Sequence, residues 1–276
     1  MTISIRPESV PESESNTQIT KPPEEPGGAM TFFEHLSELR KRIINSLISV
    51  VIGAAIGWFA APHFVEWITK PMLKALRAAG FEQKLYYTGP AAYLNMLITL
   101  SIYLGIVLAS PWILYQIWLF VAPALYKHER KAITGFLFST VFLFLAGIAF
   151  GYFVSLPYVL RFLTGFRGPV VPLMSINEYF DFILLILLGL GLVFELPVLI
   201  FILSLFGIVT PKFLLDNFRY AFLVIAILAA ILTPTPDALT MLVFMAVLVG
   251  LYFIGVGLSW LVLRRRNRRL AAAEAQ

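Results

Sequence analysis

Two uncharged stretches limit what this chain can fold into. Residues 91–121 and 132–160 contain no Asp, Glu, Lys or Arg. The hydrocarbon core of a bilayer is about 30 Å thick and takes roughly 20 apolar residues of helix to cross, so each stretch is long enough to span a membrane. Between them the chain turns through Tyr126-Lys127-His128-Glu129-Arg130-Lys131, which places one carboxylate among cations at a membrane surface. A soluble domain could not hide such runs. Of the 276 residues, 59% are hydrophobic and only 13% charged, with a mean hydropathy of +0.84, values that belong to membrane proteins.

The same reasoning extends along the chain. Residues 1–30 are mostly Pro, Glu, Ser and Thr with little to bury, and a disordered tail is expected there. Thr31 and Glu34 fit a capping box. Phe32, Leu36, Leu39 and Ile43 then recur at helical spacing, with Glu38 four residues before Arg42. This short amphipathic helix should lie at the surface and run into a first span over 43–61. A separate amphipathic piece over 65–79, interrupted by Pro71, should rest at the interface. After the spans at 91–121 and 132–160, Ser175 and Glu178 form a second capping box for a fourth span ending near Leu205. Thr210-Pro211 reads as an N-cap and first helical residue, opening a surface helix to Asp216. A fifth span, 220–232, is short for a bilayer, and a sixth occupies 238–263. The expected fold is all-α: a polytopic bundle of six transmembrane helices (31–263) with an interfacial N-terminal helix and a basic tail over 264–276.

Charge sets the expected orientation. Thirteen Lys and Arg residues flank the ends that share a side with Arg40, Glu129, Lys212 and Arg264, against six on the other side. The positive-inside rule places both termini and the Glu129 loop in the cytoplasm. The five arginines between Arg264 and Arg269 follow an apolar span directly, which suits anionic lipid rather than nucleic acid. Cysteine is absent, the three histidines (His35, His63, His128) lack metal-ligand spacing, and no HExxH, GxSxG or P-loop string occurs,. Neither an enzyme, a metal site nor a cofactor is indicated.

Four strings carry a family likeness: HLSELRKR at 35–42, YKHER at 126–130, FELPV at 194–198 and LTPTPD at 232–237. In that order, each at the same place relative to a span, they resemble the TatC family, the polytopic subunit of the twin-arginine protein translocase. The likeness covers nearly the whole chain. It implies a receptor for twin-arginine signal peptides of folded precursors. Partners would be single-span TatA- and TatB-type subunits, self-association is expected, and the drive is the proton-motive force of a cytoplasmic (inner) membrane.

Taken as residues alone, Glu38 and Glu129 would simply pair with neighbouring cations, an arrangement contributing about 0–1 kcal/mol when exposed. The resemblance implies instead that both carboxylates receive the arginine pair, with His35, Leu36, Leu39, Pro123 and His128 in support. A guanidinium offers a rigid fork that a carboxylate accepts bidentately. Glu195 is an acid deep inside a span, with Pro197 two residues on removing a backbone donor. Its bland role is a carboxyl satisfied by a neighbouring helix. By resemblance Glu195, Pro197 and Asp237 contact partner helices, and spans packed concavely around Glu195 receive the apolar part of the signal peptide. Asp237 fits a helix cap equally well. The alternative is a secondary transporter with Glu195 as coupling residue. That reading predicts inverted repeats with paired broken helices, and the two halves show no such correspondence.

Overall fold

In the computed structural model the described residues are 32–121, 133–165, 173–233 and 237–274. They form an all-helical bundle: α1 (Phe32–Ala79), α2 (Ala92–Val121), α3 (Ile133–Phe150), a π-helical turn (Gly151–Ser155), α4 (Leu156–Gly165), α5 (Ile176–Val193), α6 (Leu196–Leu205), α7 (Pro211–Asp216), α8 (Phe218–Leu232) and α9 (Ala238–Glu274). Among the described residues five helical stretches are long and apolar enough to cross a membrane, and α8 is a shorter apolar helix. At 15 residues and 1.5 Å per residue, α8 is about 22 Å long, less than a bilayer core, as its sequence suggests.

The largest departure from expectation is α1. The sequence separates a span at 43–61 from a surface piece at 65–79, yet one helix of 48 residues runs through Pro62 and Pro71. Pro71 has no N–H to give the Trp67 carbonyl. The Tyr152 hydroxyl donates to that carbonyl instead, at 2.7 Å, and the Tyr152 ring stacks on Trp67 with centroids 3.7 Å apart. One residue on, the Tyr179 hydroxyl donates to the Ile68 carbonyl at 2.6 Å. The Tyr152 hydroxyl thus replaces the donor that proline removes, and the Tyr179 hydroxyl braces the carbonyl beside it. The apolar face of this segment (Ile68, Met72, Ala75 and Leu76) packs into a core with Leu156, Leu160, Phe180 and Ile183, so it rests on protein rather than on an interface. Gly80, at φ 79°, ends α1: the Phe81 N–H donates to the Leu76 carbonyl at 2.9 Å, a Schellman closure that needs a left-handed residue.

Proline shapes other spans too. Pro111 leaves the Val107 carbonyl without its usual donor, and Ser110 Oγ donates to it at 2.8 Å, so α2 continues unbroken. Pro157 would crowd the carbonyl four residues back, inside the turn 151–155. That turn is π-wound, with the Leu156 N–H donating to the Gly151 carbonyl, which makes room for the ring. The fourth span is two helices, not one, because Phe194 and Glu195 form a turn between α5 and α6 just ahead of Pro197. Ser175 is the N-cap of α5 by position, but its side chain makes no capping bond. The chain is fixed there by Tyr86, whose N–H donates to the Met174 carbonyl and whose carbonyl accepts from Ile176. Thr31 lies outside the described residues. Thr210 does cap α7, its Oγ1 accepting from the Phe213 N–H at 3.2 Å.

Close helix contacts run through glycine. Gly53 of α1 lies on Gly105 of α2, and a Cβ on Gly53 would stand 2.5 Å from the Gly105 carbonyl oxygen. Gly147 of α3 meets Leu190 and Gly191 of α5. The paired glycines therefore serve packing within the chain. α5 is the central post, contributing Ile183, Leu184 and Leu187 to the first core and Ile186, Leu190 and Val193 to a second, shared with α6, α8 and α9. Its most apolar window is 56% buried against 11% for α1, so α1 stands at the edge of the bundle.

Candidate functional site

The N-terminal end of α1 and the C-terminal end of α2 meet in a compact polar cluster. Glu38 and Arg42, one helical turn apart, form an ion pair from Oε1 to Nη2 at 2.9 Å. The other arm of Arg42, Nη1, donates to Gln116 Oε1 at 3.1 Å. Gln116 is 2% exposed, and the Glu38 side chain 16%. Two atoms of the cluster, Glu38 Oε2 and Arg42 Nε, are buried without a partner. A turn earlier, the His35 ring stacks on Phe120 with centroids 4.4 Å apart. An ionised carboxylate offers about four acceptor positions on two oxygens. Here one oxygen is engaged by Arg42 and the other is buried without a partner. A buried carboxylate oxygen without a donor is costly, and a charge-assisted N–H bond in such low-dielectric surroundings is a strong one.

Of the residues singled out in the sequence, Glu38 and His35 reach this cluster, and Leu36 and Leu39 share its helix, Leu36 being exposed. Glu129, Pro123 and His128 lie outside the described residues. Gln116 was not singled out at all. Its one sequence signal is that it is a primary amide near the end of an otherwise apolar run, four residues after Trp112.

Glu195 sits in the turn between α5 and α6 with Oε1 buried and unpartnered. The aromatic rings of Phe194 and Phe150 lie 5.6 Å apart next to it. Pro197 is buried in the first turn of α6. Asp237 lies elsewhere, at the head of α9, where Oδ1 accepts the Thr240 N–H at 2.6 Å. That is a helix cap. Beyond the spans, in the connection from α1 to α2, Lys84 and the Tyr86 hydroxyl beside Glu82 hold its carboxyl below the usual range.

The family model described as "Sec-independent protein translocase protein (TatC)" matches residues 34–263, all but the two ends. The chain belongs to the TatC family. Two TatC relatives share that description. One from Koribacter versatilis (strain Ellin345) is 44% identical over 248 residues, covering 90% of this chain and 92% of its own. Another from Aquifex aeolicus (strain VF5) is 36% identical over 242 residues, covering 86% and 98%. A crystal structure titled as the twin arginine translocase receptor TatC is similar with a TM-score of 0.73 at 34% identity, covering 83% of this chain and 99% of that one. As a TatC-family protein the chain is a multi-pass membrane component of the Sec-independent protein translocase, a transport role.

Proposed function

We propose that this chain is the receptor core of twin-arginine translocation, binding the adjacent arginines of a signal peptide at Glu38 and Glu129. The observation that carries this reading is the buried, unpartnered Oε2 of Glu38 beside a carboxylate oxygen already held by Arg42. His35 on Phe120 supports it as well, because it joins the start of α1 to the end of α2, eight residues before Glu129. Each charge-assisted bond to an incoming guanidinium contributes about 1.5–3 kcal/mol. Leu36, Leu39, Pro123 and His128 line the approach of the peptide. In this reading six spans, α8 included, place both termini and the Glu129 loop in the cytoplasm of an inner-membrane protein. The arginines of the α9 end, Arg264 to Arg269, meet anionic lipid. Single-span TatA- and TatB-type subunits dock near Glu195, Pro197 and the α8–Asp237 end, copies of the chain self-associate, and the proton-motive force drives passage of folded precursors.

The test is site-specific cross-linking of an Arg-Arg signal peptide to the membrane-embedded chain. Glu38→Ala and Glu129→Ala should each abolish the cross-link while the protein remains in the membrane, and Lys-Lys peptides should bind at least about 10-fold more weakly, about 1.4 kcal/mol. Unchanged cross-linking in both variants would refute the assignment.

A further inference from the structure

We infer that the face of α1 carrying Lys70, Lys74 and Arg77 binds the headgroups of anionic phospholipids on the membrane side opposite Glu38. Lys70 lies 32 residues beyond Glu38 on one continuous helix. At 1.5 Å per residue that is about 48 Å, more than the roughly 30 Å of a hydrocarbon core. With 3.6 residues per turn, positions 70, 74 and 77 fall within about 60° of one another. Ile68, Met72, Ala75 and Leu76, which pack into the core, lie on the other side of the same turns. All three cations are exposed. Among the described residues none of them pairs with a carboxylate: Arg42 takes Glu38 and Lys84 takes Glu82, while Glu66, four residues before Lys70, is exposed and in no ion pair.

Like charges at i, i+4 and i, i+3 on one helix repel and weaken it. The helix dipole offsets this for Arg77, which stands in the last turn of α1,, but not for Lys70 and Lys74. A bound anion removes the repulsion. The segment also stays at the depth where phosphates lie. Tyr179, the fourth residue of α5, donates to the Ile68 carbonyl, and Leu156 and Leu160 of α4 share the core beneath this face. Lys70 is therefore level with the ends of the spans rather than clear of the membrane. Trp67, three residues before Lys70 and seven before Lys74, edges the cationic face. Its ring, 38% exposed, stacks on Tyr152 and meets Phe153 edge-on at 6.5 Å, and Phe153 is 68% exposed. Aromatic rings among the upper acyl chains with cations at the phosphates is how side chains hold a membrane interface. An anionic phospholipid meets both demands at once. A zwitterionic lipid brings its own cation to the face, and a soluble acidic protein leaves the aromatic edge unused.

The test places the full-length chain in phosphatidylcholine vesicles that contain a minor fraction of phosphatidylglycerol with a photoactivatable diazirine in its acyl tail. Labelled positions are mapped by mass spectrometry. Label should fall on residues 64–79 and around Phe153, as well as on the α9 end. The triple variant Lys70→Gln, Lys74→Gln, Arg77→Gln should lower labelling of the first region about 10-fold and leave the α9 end unchanged. The double variant Lys70→Arg, Lys74→Arg keeps the charge and should label as the native chain does. Because the replaced side chains are exposed and unpaired, the triple variant should keep its thermal midpoint in phosphatidylcholine alone. On the native chain, raised salt should reduce labelling by the anionic probe and not by a phosphatidylcholine probe of the same tail. Undiminished labelling of 64–79 in the triple variant, equal labelling by the phosphatidylcholine probe, or labelling indifferent to salt overturns the inference. So does a carbodiimide cross-link from Lys70 or Lys74 to a carboxylate of a second copy that replaces the lipid label, since the face would then be a contact between proteins.

Discussion

Arg42 donates to Gln116 across 74 positions of sequence while its second arm holds Glu38 on its own helix. The arginine is therefore a bridge that fixes where the Glu38 carboxylate stands. Gln116→Leu keeps the volume of the buried side chain but removes the acceptor, leaving a charged donor unsatisfied. A hydrogen bond to a charged group contributes about 1.5–3 kcal/mol, so binding of an Arg-Arg peptide should fall roughly 10- to 100-fold. Discrimination against Lys-Lys should shrink with it, because an unanchored carboxylate no longer presents a fixed edge. Fluorescence anisotropy with both peptides checks this. Loss of affinity with the Arg/Lys ratio intact would mean that Gln116 serves stability alone.

The path of α1 through Pro71 depends on two hydroxyls. Tyr179→Phe strips the Ile68 carbonyl of its side-chain donor and Tyr152→Phe strips that of Trp67. Tyr152→Phe leaves the Trp67 acceptor unsatisfied at about 1–3 kcal/mol, which lowers the thermal midpoint of a chain this size by about 2–4 °C per kcal/mol; Tyr179→Phe should cost less, because Met72 still carries an N–H four residues after Ile68. Pro71→Ala returns an N–H to the Trp67 carbonyl. Tyr152→Phe should then cost less in the Pro71→Ala background than in the native one, a coupling of about 0.5–3 kcal/mol in a double-mutant cycle. Additive effects would show that Tyr152 acts through its stack on Trp67 alone.

Gly53→Ala drives a Cβ into the Gly105 carbonyl, backbone against backbone, where no side chain can yield. The folded yield after detergent extraction, read by size-exclusion fluorescence, should drop severely. Gly250→Ala, with nothing within 4 Å of the added Cβ, should leave it unchanged. Equal behaviour of the two variants would show that α1 and α2 can separate without consequence.

What could be read from the residues was whatever local chemistry decides. The uncharged runs gave α2 and the span containing α3 and α4, and Thr210-Pro211 gave the start of α7, because length, charge and capping act within a turn or two. The continuity of α1 could not be read that way. Pro71 ends a helix by its own chemistry, and only Tyr152 and Tyr179, 81 and 108 residues later, make the interruption tolerable. Ser175 failed in the opposite sense: the capping pattern is present, but Tyr86 from a distant loop holds that backbone. Glu195 was legible as an acid in an apolar span with Pro197 removing one backbone donor, although the chain there makes a turn between two helices. Gln116 gave almost no signal, since one amide in an apolar run has no period and its role exists only once Arg42 is beside it.

Asp237 separates a capping role from a binding one. Its Oδ1 accepts the Thr240 N–H, and removing such a cap costs about 0.5–2 kcal/mol. Its charge at the start of α9 adds about 0.3–1 kcal/mol with the helix dipole. Asp237→Asn keeps the acceptor and loses the charge, whereas Asp237→Ala loses both. If capping is the whole role, the thermal midpoint should fall in the order native, Asn, Ala, and co-purification of single-span partner subunits should follow stability in the same order. If the carboxylate also contacts a partner helix, Asp237→Asn should lose the partners while keeping most of its stability. The cap geometry favours the first outcome, because Oδ1 already accepts a backbone N–H at the start of α9 and that bond alone accounts for an acid at this position,.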